Sequence, residues 1–361
     1  MQPPCSDFVA LSPPSLGEKE LEAIGLVLAS GRLVQGPWVE RFEARMAERC
    51  RRKFAVAVSS GTSALELALE ALGIQNGDEV LCPALTWPSP ANAVALRGAS
   101  PVLVDVDPED WNLDPKLVTQ ARSSRTRAAI VIDQFGMPAR WQKLNPLLEG
   151  LHIIEDAACA IGSSSPEGPC GSFGIISTLS FHPRKVLTTA EGGMCLTDDA
   201  NIADRLRILR NHGQEKPGSF VCAAGNHRMS EVAAAMGLAQ LDRLDDIVAL
   251  RQMLAQRYRD ALPELSWQKV PQGASSNMQT MGATVARDRD GLIEGLRERR
   301  IEAGRLSYNL AELTSLRACC RVPEPPSHTA DIVSRGLALP LHPALDIATQ
   351  DHVIDSIREL L

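Results

Sequence analysis

From about residue 54 to residue 200, short runs of β-branched and other apolar residues alternate with stretches whose apolar positions recur at helical spacing. That alternation predicts an α/β unit built on a largely parallel sheet. The apolar runs predict seven strands, at 54–58, 80–82, 102–106, 129–132, 152–154, 176–181 and 193–196. Between the first two, SALELALEAL at 63–72 is apolar around much of its circumference and stops at Gly73. It reads as a buried helix with a glycine at its C-terminus. Residues 230–259 read as one long amphipathic helix, or two, carrying the chain out of the sheet. Beyond them the chain turns more polar, with a charged stretch at 287–300 and the Pro-rich RVPEPP at 321–326. The expected organisation is therefore a large domain over 1–245, with residues 1–15 as an N-terminal arm, and a smaller C-terminal α+β domain over 246–361. No internal repeat interrupts this pattern.

Composition narrows the classes. With 361 residues, 44% of them apolar and 22% charged, the chain can bury a full core, which excludes disordered and fibrous proteins. Its formal net charge of −7 offers no general attraction to a phosphate backbone or an anionic bilayer, so no nucleic-acid partner is expected. No apolar run approaches the ~18 residues that a membrane helix needs. The first residues carry neither a basic nor an apolar leader segment, so a cytoplasmic protein with no membrane partner is expected. The nine cysteines make an odd number and contain no CxxC spacing. They read as reduced thiols, mostly buried, and no metal site is expected.

Three stretches carry chemistry. In FAVAVSSGTS at 54–63 a strand runs into a small polar turn and then a helix, which offers backbone N–H groups to a phosphate through Gly61, Thr62 and Ser63. A serine here also caps a helix without binding anything, so this turn alone is a weak signal. In HIIEDAAC at 152–159 an apolar strand ends in two carboxylates. Alternation sends Glu155 and Asp156 to opposite faces, and ligands in open α/β sheets sit beyond the carboxyl ends of strands. Asp156 could instead cap the next helix. The sharpest stretch is SFHPRKVLTTAEGG at 180–193, which leaves a strand, turns at Pro183 and places Lys185 in a loop at the same edge. A lone loop lysine is usually only solvated, whereas a lysine amine beside a ligand site attacks aldehydes to form a Schiff base.

Taken together, SGTSAL at 60–65, PALTWPSPANAV at 83–94, IIEDAACAIG at 153–162, SFHPRKVLTTAEGGM at 180–194, GNHRMSEVAAAMGLAQL at 225–241 and RGLALPLHPAL at 335–345 resemble the DegT/DnrJ/StrS sugar aminotransferases in order and spacing. The resemblance runs from about residue 10 to the C-terminus. It implies the fold-type I architecture of the aspartate aminotransferase superfamily and pyridoxal 5′-phosphate (PLP) as cofactor. It also implies a homodimer with active sites at the subunit interface. Lys185 then matches the lysine that holds PLP as a Schiff base and shuttles the proton, and Asp156 the carboxylate paired with the pyridinium nitrogen. Gly61, Thr62, Ser63 and Ser180 match the phosphate cup, Trp87 the ring stacked on the cofactor, and Asn226 an asparagine lent to the phosphate by the neighbouring subunit.

The implied reaction moves an amino group from L-glutamate to a nucleotide-linked keto sugar, in amino-sugar biosynthesis for surface polysaccharide or a secondary metabolite. FHP-x-K with TT-x-EGG is closer to relatives that aminate C4 of a 4-keto-6-deoxyhexose, which places His182 at the substrate with Arg228 and Tyr308. Several positions depart from the family. Cys159 replaces the glutamine that approaches the PLP ring, His227 replaces an aromatic residue, SSNMQTMG at 275–282 replaces a stretch with an aromatic-His pair, and Ser307-Tyr308-Asn309 replaces a His-Tyr-Pro-like pattern. The last two are expected to bear on the acceptor substrate. Two other functions share the resemblance: a non-catalytic regulatory protein that binds sugar nucleotide or PLP, and a PLP-dependent sugar dehydratase, which needs a histidine where this chain has Lys185.

Overall fold

The computed structural model describes residues 8–361. Cys5 and the first half of the expected arm lie outside the described residues. All seven predicted strands form, as β1 (Phe54–Val58), β2 (Glu79–Pro83), β3 (Ser100–Val104), β4 (Thr126–Ile132), β5 (His152–Asp156), β6 (Ile176–Ser180) and β7 (Gly193–Thr197). They make one sheet in the order β1-β7-β6-β5-β4-β2-β3, parallel except where β7 runs against both its neighbours. The carboxyl ends of β2, β4, β5 and β6 therefore share one edge, and the turn after β1 joins them there.

Strand alternation splits the core. Val56 and Val58 face one side with Leu65, Leu69, Ile130 and Ile154, while Ala55 and Ala57 face the other with Phe42, Leu179, Met194 and Leu196. On the first side lies the helix Gly61–Ala71, whose Leu65, Leu67 and Leu69 are buried, each such side chain stabilising the fold by about 1.5–3 kcal/mol. The predicted stop appears one residue early, with Leu72 as C-cap and Gly73 in the left-handed conformation that follows it.

The stretch expected as one or two helices is two, Glu231–Leu241 and Leu244–Ala261, parted at Asp242–Arg243. The boundary expected after residue 245 thus falls inside the first turn of the second helix. That helix packs on a four-stranded antiparallel sheet of β8 (Ser266–Trp267), β9 (Met281–Thr284), β10 (Gly304–Arg305) and β11 (Gly336–Leu339), in the order β8-β9-β11-β10. Leu254, Tyr258, Met281, Leu296, Leu337 and Ile357 share its core. Residues 308–321 return to the large sheet: Tyr308–Asn309 pairs with Leu85–Thr86, Leu310 and Leu316 enter the large core, and Arg321 N bonds Pro101 O. The described cysteines are free thiols, with Cys50, Cys82, Cys170 and Cys195 buried.

Candidate active site

The turn after β1 is closed by its own serines. Ser60 is the helix N-cap in extended conformation, and its hydroxyl accepts from Ser63 N at 3.0 Å. The N–H groups of Gly61 and Thr62 open the helix, where no intrahelical partner is available. Strand register lines up Val58, Gly193 and Ser180 across three strands, directly beneath this turn. A Cβ on Gly61 would lie 2.7 Å from Ser180 Cβ, and one on Gly193 would lie 2.2 Å from Ser60 O. Both glycines are therefore required by close approach, and together with Ser180 and the exposed Thr62 they form a shallow cradle at a positive helix end. Ser63 is less open: its hydroxyl sits among Ser59 Oγ, Ser60 Oγ and His227 Nδ1 at 3.1, 3.0 and 3.3 Å.

The two carboxylates of β5 do diverge. Asp156 faces the sheet edge, buried, with Oδ1 accepting from Ala158 N at 3.1 Å. Burial raises its pKa, opposed by the Ala158 amide, the Lys185 charge and the Thr178 hydroxyl. Glu155 turns to the other face, where Gly171 N and Phe173 N donate to it at 2.7 and 2.8 Å. Asp133, which sequence reasoning did not single out, lies beside it, and their oxygens and Cys170 Sγ fall within 4.8 Å of one another. Burial, followed by the charge of Glu155, pushes Asp133 well up, so the pair favours holding one proton.

Lys185 stands where the loop motif placed it. Its backbone N bonds His182 O at 2.8 Å, closing a turn through Pro183, and its Nζ meets Cys159 Sγ at 2.9 Å. Cys159 belongs to the loop that follows Asp156, so one short span joins the lysine, the thiol and the buried carboxylate. His182 accepts from Arg184 N through Nδ1 at 3.3 Å. Its pKa is lowered, chiefly by burial and further by the charges of Arg184 and Lys185, with Glu191 opposing.

Two aromatic residues stand exposed at the same edge. Trp87, 57% exposed, meets Tyr308, 45% exposed, edge to face at 5.5 Å. The segment Asn226-His227-Arg228 runs along β1: Ser59 N donates to His227 O, and Arg228 bridges Val58. Arg228 donates to Asn211 Oδ1 and Asn226 is exposed, so this segment flanks the turn of its own chain. Within SSNMQTMG, Asn277 and Gln279 are buried and bonded to the loops of Cys159 and Lys185.

An aminotransferase from Brucella abortus is 33% identical over 94% of this chain and 95% of its own, with a TM-score of 0.90. The Streptococcus pneumoniae protein Spr1654 in its PMP form is 25% identical, covering 98% of this chain and 97% of its own, with a TM-score of 0.94. DesI, solved in the presence of its TDP-sugar product, is 30% identical over 98% of this chain and 93% of its own, with a TM-score of 0.91. Residues 14–358 match the profile of the DegT/DnrJ/EryC1/StrS aminotransferase family. The chain belongs to that family of fold-type I, PLP-dependent aminotransferases.

Proposed function

We propose that this aminotransferase carries an amino group from L-glutamate to a nucleotide-linked 4-keto-6-deoxyhexose. The observation that carries the reading is the single span holding Lys185 Nζ, Cys159 Sγ and the buried Asp156 beside the Gly61 cradle. The free N–H groups of Gly61 and Thr62 at a positive helix end suit the cofactor's phosphate, and a carboxylate under the charge of Lys185 suits its ring nitrogen. When bound, PLP supplies an aldehyde that takes the amino group and a ring that accepts electrons from the adjacent C–H bond.

The chain's own groups do the rest. Gly61 and Thr62 N–H, with the Ser180 hydroxyl, would hold the phosphate, and Trp87 would lie against the ring. Asp156 would pair with the ring nitrogen and favour its protonated form. Lys185 would anchor the cofactor through Nζ and move the proton during turnover. Arg228 receives the glutamate carboxylate, while His182 and Tyr308 face the acceptor. A nucleotide-linked acceptor agrees with the TDP-sugar product named for DesI. The C4 position rests on the FHP-x-K and TT-x-EGG resemblance.

The working form is a homodimer in the cytoplasm, serving amino-sugar biosynthesis for surface polysaccharide or a secondary metabolite. Leu21, Leu26, Leu28, Leu33 and Val34 are exposed, and Val34 bridges Ser230, two residues from Arg228. An apolar strip so close to the site suits a second copy that lends Asn226. Among the described residues, no helix is long and apolar enough to cross a membrane. The test is 2-oxoglutarate release from L-glutamate by the PLP form, with panels of 4-keto and 3-keto sugar nucleotides. Turnover with the 4-keto set is expected; turnover with only the 3-keto set refutes the C4 assignment.

A further inference from the structure

A strip from the second half of the chain reaches across to the Lys185 loop. Gln279, 7% exposed, brackets Lys185: its Oε1 accepts from Val186 N at 2.8 Å and its Nε2 donates to Arg184 O at 2.6 Å. Asn277, fully buried, does the same for the facing loop, donating through Nδ2 to Cys159 O and Ile161 O, both at 2.9 Å. The two residues are also joined locally, since the Gln279 backbone N–H donates to Asn277 Oδ1 at 2.8 Å. Behind them Arg251, 3% exposed, spends its guanidinium on Met278 O and Gln279 O at 2.8–3.0 Å. Met278 between them adopts a left-handed φ of 52°, a conformation the surrounding bonds must hold.

We propose that Asn277 and Gln279 are positioning residues that set the spacing of the Lys185 amine and the Cys159 thiol, on the reading that Lys185 carries the chemistry. Each side-chain amide fixes the backbone of one loop, and the short stretch 277–279, tied by the Gln279 backbone N–H to Asn277 Oδ1, sets one loop against the other. Bidentate use of a single amide matters here: no other side-chain type of that length offers a donor and an acceptor without charge. An error of about 1 Å at a reacting group costs about 10²-fold in rate, so a strut of this kind controls turnover while touching neither cofactor nor substrate.

The test uses the full chain stripped of PLP and the reagent o-phthalaldehyde. This dialdehyde joins one amine and one neighbouring thiol into a fluorescent isoindole with loss of two waters. In the wild type the bridge should map to Lys185 and Cys159. Gln279→Ala should form it about tenfold more slowly, measured well below its melting midpoint. Gln279→Met keeps the length and volume of the side chain and removes both bonds, so a rate close to that of the alanine variant is expected. It carries the test if the alanine variant does not fold. On adding PLP, Schiff-base absorbance should appear more slowly in both variants, with KM for L-glutamate little changed and kcat reduced. Wild-type bridging and absorbance rates in both variants overturn the proposal. A wild type that forms the bridge but shows no Schiff-base absorbance with PLP would instead remove the function assigned to Lys185, leaving the geometry of the strut standing.

Discussion

The Ser59–Ser63 turn and the Lys185 loop stand at one edge of the sheet and are held in different ways. The turn is closed by hydroxyls within four residues of one another, and glycine at 61 and 193 lets the strands beneath come close. The loop has its own turn from His182 to Lys185, yet its last two backbone groups are bound by a glutamine more than ninety residues away. The turn is closed chiefly by its own serines with His227 of the same sheet's domain beside it, whereas the loop depends on a segment that continues into the four-stranded sheet. Phosphate binding needs only free N–H groups and room. Moving a proton needs an amine placed to within a fraction of an ångström.

The largest effect should come from removing that amine. Lys185→Ala should lower transamination by several orders of magnitude, because a covalent role has no substitute nearby. Multiple-turnover release of 2-oxoglutarate by this variant would move the chemistry elsewhere and dissolve the comparison. Next is Asp156→Asn, which keeps the shape of a buried side chain and removes its charge. Loss of about 10²–10³-fold in kcat is expected, with an unchanged far-UV spectrum. Near-normal turnover would pass the role to another group.

The third prediction strains the second lobe alone. His342 is 7% exposed, and burial, with the Arg251 charge behind it, presses its pKa down from 6.5 to about 4. A base depressed on folding costs stability on the acid side. Below pH 6.5 the unfolded chain takes up a proton that the folded chain refuses, until about pH 4. The loss should approach the order of 3 kcal/mol across that window and vanish above it. Urea unfolding of the wild type and His342→Gln at pH 7 and pH 4.5 should show the difference between them narrowing on acidification.

This division also explains what could be read from the chain. The seven strands were legible because each is a compact apolar run. The edges moved where a polar residue had a remote purpose. The strand expected at 102–106 leaves the sheet after Val104, because Asp105 turns to accept from His328 N and Thr329 N. The one expected at 152–154 runs on to Asp156, because Glu155 is satisfied by two amides from the loop after it. Lys185, Asp156 and the glycine turn were visible as motifs, each lying within one short segment. Gln279 and Asn277 were visible only as departures from the family, and their stretch was assigned to the acceptor. No local pattern reports that an amide will meet a backbone ninety residues upstream.

The smallest effect tests the local half by itself. Ser60→Ala removes the hydroxyl that accepts from Ser63 N and donates to Ser63 Oγ at 3.0 Å. Loss of such a cap costs about 1 kcal/mol, because one helix-end N–H is left without its partner. The helix Gly61–Ala71 is buried along Leu65, Leu67 and Leu69, so it should stay formed and only its first turn should loosen. PLP affinity should then fall by about fivefold to tenfold, the equivalent of that energy if it is lost wholly from the bound state. The isoindole between Lys185 and Cys159 should form at the wild-type rate, since none of the bonds holding those loops involves Ser60. Slower bridging in Ser60→Ala would show that the turn and the loop are mechanically one unit, and that the contrast between local and remote support does not hold.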